Sequence, residues 1–183
     1  MENTRTKTTR NSLILLLTAA IWGMAFVSQS KGMDYMHPFT FNGVRSLIGA
    51  ASILVYILIS RKIAGDKAAP LDWKLNVKAG LLCGIFLTIA STLQQFGIKY
   101  TSVGKAGFIT TLYIIFVPMF GIFLKKKVAP VVWAAAVMAA VGMYLLCMTE
   151  SLRLGAGDIM VFLCAIAFAI QIMTVDHYAA RID

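Results

Sequence analysis

Arg45 is the one formally charged side chain between Pro38 and Ser60, within the stretch HPFTFNGVRSLIGAASILVYILISRK. A guanidinium carries five N–H donors in a planar fork, so it seeks carboxylates, phosphates or carbonyls and is costly to bury without them. Its neighbours are spaced for related chemistry. Pro38, Asn42, Arg45, Gly49, Ser52 and Tyr56 recur at intervals of three and four, which places them on one face of a helix. Thr88, Ser91, Thr92 and Gln95 repeat the pattern farther along with Gln94 beside them, and Thr18, Trp22 and Gln29 do so near the start. Such side chains can line a path for a polar solute, or they can bond helix to helix for about 0.6 kcal/mol each. The hydroxyls alone read more simply as helix-to-helix bonds. For Arg45 with Asn42, and for the Gln94–Gln95 pair, both readings stand.

Catalytic chemistry finds little support. The two histidines, His37 and His177, fall at opposite ends of their apolar runs and cannot share a metal. The sequence contains no HExxH, GxSxG or phosphate-cradling glycine loop, and no pair of aspartates deep within the apolar runs. Cys83, Cys147 and Cys164 lie inside apolar runs without CxxC or Cys/His spacing, so they read as small buried hydrophobes. Neither an enzyme, a metal centre nor a cofactor is expected.

The elements that must position these residues follow from composition. The chain is 59% apolar and 14% charged, against about 45–50% and about 25% in soluble domains, so it departs toward a membrane protein on both counts. A net charge of +9 would suit nucleic acid, yet the charges sit in short clusters between apolar runs instead of along one face, so no nucleic-acid partner is expected. Six runs are long enough to cross a bilayer core of about 30 Å: roughly 12–30, 38–60, 77–97, 103–124, 130–148 and 157–176. None alternates as barrel strands do, so the sequence predicts an all-α, polytopic membrane helix bundle with six transmembrane helices. The first run follows a basic lead, but Trp22 and Met24 occupy the place of a small-residue cleavage site, so it reads as an uncleaved span.

Lys and Arg set the orientation. The N-terminus, second loop, fourth loop and C-terminus carry 12 of them, the remaining loops 4, and Arg45 stands apart. The N-terminus and the end at Asp183 are therefore expected in the cytoplasm, in an inner or plasma membrane. The longest connector, 61–74, is basic, with Trp73 at the interface. Small residues four apart (Ala19 and Gly23, Gly80 and Gly84, Ala135 and Ala139, Ala165 and Ala169) suit close helix packing. Pro118 inside the fourth run frees the carbonyl of Ile114 and predicts a bend there. Arg45 lies seven residues into its helix, about 10 Å from the outer end. No Asp or Glu falls within the first five runs; Asp34 and Asp158 are its candidate partners, failing which it must bond amides, carbonyls, water or a solute.

Several segments together resemble the EamA-type transporters of the drug/metabolite superfamily. They are AAIWGMAFV, HPFTFNGVRSLIGA, QQFGIKYTSVGKAGFITTLYIIFVPMFGIFL and GDIMVFLCAIAFAIQ. The likeness rests on Trp22–Gly23, Pro38, Arg45, Tyr100–Thr101–Ser102 and Pro118, in order over nearly the whole chain. It implies ten helices in two inverted five-helix repeats. On that frame residues 1–11 form a cytoplasmic segment, 12–148 the first repeat, and 149–183 the start of a truncated second repeat opening at Gly157–Asp158. Where the family often has Glu-Arg after its fourth helix, this chain has Lys125, Lys126 and Lys127.

The resemblance implies a secondary transporter, an exporter of small organic metabolites, amino acids or drugs, working by alternating access in the lipid bilayer. Asn42, Arg45, Gln94 and Gln95 would bind solute, Trp22 and Tyr100 would wall the path, and Pro118 would supply the bend. The alternative is a truncated or assembly-dependent membrane subunit, completed by a missing C-terminal half or by a homo-oligomer. A four-helix small multidrug exporter fits less well, because those proteins place a glutamate in their first helix and this chain has none there.

Overall fold

In hydrocarbon a backbone amide has no water to bond, so each apolar run must satisfy its polar groups internally. The computed structural model describes residues 2–64, 72–125, 128–147, 155–179 and 181, and the runs within them are helical. The elements are α1 (Glu2–Gly32), α2 (Pro38–Ala64), α3 (Trp73–Tyr100), α4 (Val103–Thr111), α5 (Tyr113–Phe123), α6 (Pro130–Cys147) and α7 (Ala156–Ala179). No strand occurs among the described residues. Lys67, Lys126, Lys127 and Arg153, used above for orientation, and the first residues of the 149–183 segment lie outside them, as does the side chain of Cys147.

Five stretches have the length and hydropathy of membrane spans: Thr9–Gly32, Pro38–Ile63, Trp73–Tyr100, Val103–Phe123 and Ala156–Ala179. The chain is an all-helical, multi-pass bundle. α6 carries a shorter apolar stretch, Pro130–Gly142. Local chemistry sets several boundaries. α2 and α6 open on prolines, whose missing N–H is lost at no cost in a first turn. Asp72 caps α3 by accepting from Leu75 N at 3.1 Å, so the helix begins at Trp73, four residues before the expected span. Ser102 caps α4 in the same way, accepting from Lys105 N at 3.2 Å.

The fourth run is two helices, and the interruption falls at Leu112, six residues before Pro118. Pro118 itself is buried within α5. At the break the bonds tighten to three-residue spacing, from Leu112 N to Ile109 O and from Ile115 N to Leu112 O. Thr111 also donates from Oγ1 to Gly107 O at 2.7 Å, a back-bond that competes with the helical ladder and bends it.

The core centres on α3 against α7, which run antiparallel, with α4 and α5 packed on α7 and α6 on α4 and α5. Ala90, Cys164, Ala167 and Phe168 form one buried cluster; Ile98, Ala106, Ile109 and Val161 form another nearer the end where α3 finishes. Between Gly97 and Gly157 the two backbones touch. A Cβ on Gly97 would lie 2.9 Å from Gly157 O, and one on Gly157 would lie 2.8 Å from Gly97 O and from Tyr100 C. Neither glycine belongs to the small-residue pairs expected from spacing. Ala165 and Ala169 of those pairs are fully buried, whereas Gly23, Gly80 and Gly84 face open space, and Ala136 is buried in place of Ala135. α1 and α2 present large apolar side chains outward over most of their length, which is what a lipid-facing helix does.

Candidate functional site

α2 is aligned on α3 by rings. His37, Phe39 and Phe96 meet with centroids 5.2–5.8 Å apart, fixing the first turn of α2 against the last third of α3. One turn into α2, Asn42 is buried and donates from Nδ2 to Ser91 O at 3.1 Å. Its other amide atom, Oδ1, accepts from Arg45 Nη2 at 3.0 Å, and the guanidinium lies 5.7 Å from the Phe41 ring centre. Among the described residues no carboxylate lies within ion-pair reach of Arg45. The two acidic partners expected from sequence are elsewhere: Asp34 is exposed, and Asp158 is bonded to other groups. Arg45 is therefore held by a neutral amide and a ring face, with most of its donors uncommitted.

The two adjacent glutamines part company, because neighbours on a helix point about 100° apart. Gln94, buried, turns toward α4 and donates from Nε2 to Thr110 Oγ1 at 3.3 Å. Gln95, fully buried and one turn beyond Ser91, turns toward α1 and donates from Nε2 to Gln29 O at 3.3 Å. Two amide oxygens there, Gln29 Oε1 and Gln95 Oε1, have no donor among the described residues. Leaving a buried acceptor unmet costs about 1–3 kcal/mol. Asn42, Arg45, Ser91, Gln95 and Gln29 thus make one polar seam across α2, α3 and α1.

A third cluster sits where α7 begins. Asp158 is 2% exposed, and its Oδ2 accepts from Lys105 Nζ at 2.7 Å and from Gly155 N at 2.9 Å. Its Oδ1 accepts from Thr101 Oγ1. A carboxylate in a helix's first turn also meets the positive end of the helix dipole. One side chain thus ties α7 to the α3–α4 turn and to α4. The sequence marked Thr101 as a piece of a resemblance and Asp158 as the start of a second repeat and a candidate partner of Arg45; the pairing of the two, and the role of Lys105, depend on a crossing that spacing along the chain does not reveal.

The remaining candidates stand apart from the seam. Trp22 on α1 is half exposed, and Tyr100 is exposed at the end of α3, its ring beside Lys99. Pro118 lines a cavity of about 530 Å³ between α5, α6 and α7, with Val132, Met173 and Asp176. A second cavity, about 490 Å³, opens between α3, α5 and α7, lined by Leu82, Phe120, Thr174 and His177. Both lie toward the end where α7 finishes, and the polar seam and the Asp158 cluster lie toward the other. Among the described residues no three His, Cys, Asp or Glu side chains gather as metal ligands.

The profile of the EamA-like transporter family matches residues 10–148. The chain is also 31% identical over 171 residues to a protein of Archaeoglobus fulgidus described as an uncharacterized transporter. That alignment covers 90% of this chain and 48% of the relative, so the chain spans about half the relative's length. No solved structure matches it. The chain belongs to the EamA-like transporter family.

Proposed function

From that membership we propose that this chain works in a secondary transporter that moves small organic solutes by alternating access. Its substrates would be metabolites, amino acids or drugs, and export from the cytoplasm the direction. The observation that carries the reading is Arg45. A guanidinium inside a membrane span, without a carboxylate within reach among the described residues, suits an anionic or strongly accepting group on a solute. Asn42 holds it, and Gln95 extends the seam toward α1. Gln94, bonded to Thr110, serves mainly to join α3 to α4 and reaches solute only by letting go of that hydroxyl.

The two ends of the bundle suit different roles in the cycle. At the end where α3 finishes, the Gly97–Gly157 contact and the bonds of Asp158 keep α3, α4 and α7 together. At the opposite end two cavities of about 490 and 530 Å³ flank α7. The distribution of Lys and Arg supports a cytoplasmic setting for that open end. The arrangement then corresponds to a cytoplasm-facing state, with Asp158 as the outer latch and the break at Leu112 as a point where α4 and α5 can pivot separately. Trp22 and Tyr100, both exposed, would wall the path against a partnering set of helices.

A second reading has one observation in its favour: the chain spans 48% of its relative. It would then act as a membrane subunit that transports only when assembled with further helices. The first reading is tested by a thermal-shift screen of the purified chain against amino acids, nucleosides and cationic drugs. A stabilising solute whose effect drops at least tenfold in affinity in Arg45→Ala supports it. An effect that survives that substitution removes Arg45 from the site.

A further inference from the structure

We propose that Gln29 and Gln95 form a subsite at the α1–α3 junction that takes a primary ammonium group of the solute. The proposal rests on the transporter reading and goes beyond it by naming the chemistry this part of the seam selects. Two glutamines serving only to join helices could exchange donor and acceptor with each other. Here Gln95 spends an N–H on the backbone carbonyl of Gln29. Both side-chain oxygens are left in a place that is 4% exposed at Gln29 and 0% at Gln95, with no donor among the described residues.

Both atoms left unmet are acceptors. A hydroxyl brings one donor together with acceptors of its own, so it serves one oxygen. A primary ammonium brings three donors and no acceptor. Its positive charge also suits amide oxygens, whose dipoles end in partial negative charge. A site built around hydrogen bonds rejects analogues that lack the bonding group far more strongly than an apolar pocket rejects a small change of size. Gln29, on the first helix, thereby becomes a specificity-determining residue.

The test uses the purified full chain in nanodiscs, with thermal unfolding followed against increasing butylammonium chloride and butyltrimethylammonium chloride. The two cations share charge and chain length, and only the first has N–H donors; Arg45 repels both, so their contrast isolates donation. Butylammonium is expected to bind at least tenfold more tightly, and the contrast is expected to vanish in Gln29→Met and Gln95→Met. Gln95→Glu keeps an acceptor in place and adds charge, so it should bind butylammonium more tightly than the unaltered chain. Equal response to both cations overturns the subsite, as does a contrast that survives both Met variants or a Gln95→Glu chain with no gain. Protection by sodium chloride over choline chloride, without the alkylammonium contrast, also overturns it in favour of a metal-cation site. Transport of another solute without the contrast leaves the transporter reading intact, and the contrast without transport leaves the subsite intact.

Discussion

Replacing Asp158 by asparagine keeps the shape of the cluster at the start of α7 and removes its charge. The carboxylate is 2% exposed and bonded to Lys105 Nζ at 2.7 Å, to Gly155 N at 2.9 Å and to Thr101. An asparagine can turn its oxygen to one of these donors, and its NH2 then faces another. Breaking a buried ion pair by removing one partner costs about 3–5 kcal/mol where the orphaned charge stays dry. Lys105 is 19% exposed and can recover some hydration, so the expected loss is about 2–3 kcal/mol. The assay is reversible unfolding of the purified chain in mixed micelles, run as a cycle with Lys105→Met and the double variant. Because the two groups touch, a coupling of about 1–2 kcal/mol is expected, with the double variant less damaged than the two single losses summed. Additivity within about 0.5 kcal/mol would refute the reasoning, since it would mean that lysine and carboxylate act independently. In transport, loosening this cluster should favour the state opened toward the end where α3 finishes, and Lys105→Met should shift the same equilibrium in the same direction.

Gly97→Ala should lower stability by about 1–3 kcal/mol, because its new methyl would overpack against Gly157 O and Val161, whereas Gly80→Ala, with open space around it, should be neutral or stabilising by up to about 1 kcal/mol; unfolding of both variants in the same micelles checks the pair. Gln95→Leu should leave stability within about 1 kcal/mol, since it removes one weak bond at 3.3 Å together with an oxygen that has no donor, while solute-induced stabilisation falls at least tenfold; parallel thermal shifts with and without the solute found by screening read both. Thr111→Val should straighten the α4–α5 junction more than Pro118→Ala does, since the back-bond to Gly107 sits at the break, and spin-label distances between positions on α4 and α5 would show it.

The helical architecture could be read from the sequence because hydrocarbon leaves backbone so few options, and apolar length alone identifies a span. The polar stripes were equally readable: Asn42, Arg45, Ser91 and Gln95 share helix faces by spacing, and folding places those faces together. Three features were not. Gly97 and Gly157 lie far apart in the chain, and nothing local distinguishes the glycine that meets another backbone from Gly80, which meets nothing. The partner of Asp158 depended on the α3–α7 crossing, so proximity in depth suggested Arg45 where the fold supplies Lys105. The break at Leu112 lies six residues before Pro118, the one residue of that run that spacing marks as a breaker, and so a search for proline misplaces it. Gln29 was visible as part of the α1 stripe, but its unmet oxygen appears only once α1 is packed against α3.

The most direct test of the account is solute uptake into proteoliposomes containing the purified chain, using the compound that stabilises it best. The unaltered chain is expected to accelerate uptake over protein-free vesicles, and Arg45→Ala and Gln95→Leu, both incorporated and folded, are expected to reduce it at least tenfold. Uptake that proceeds unchanged in both variants would contradict the claim that the Asn42–Arg45–Gln95 seam is the solute path.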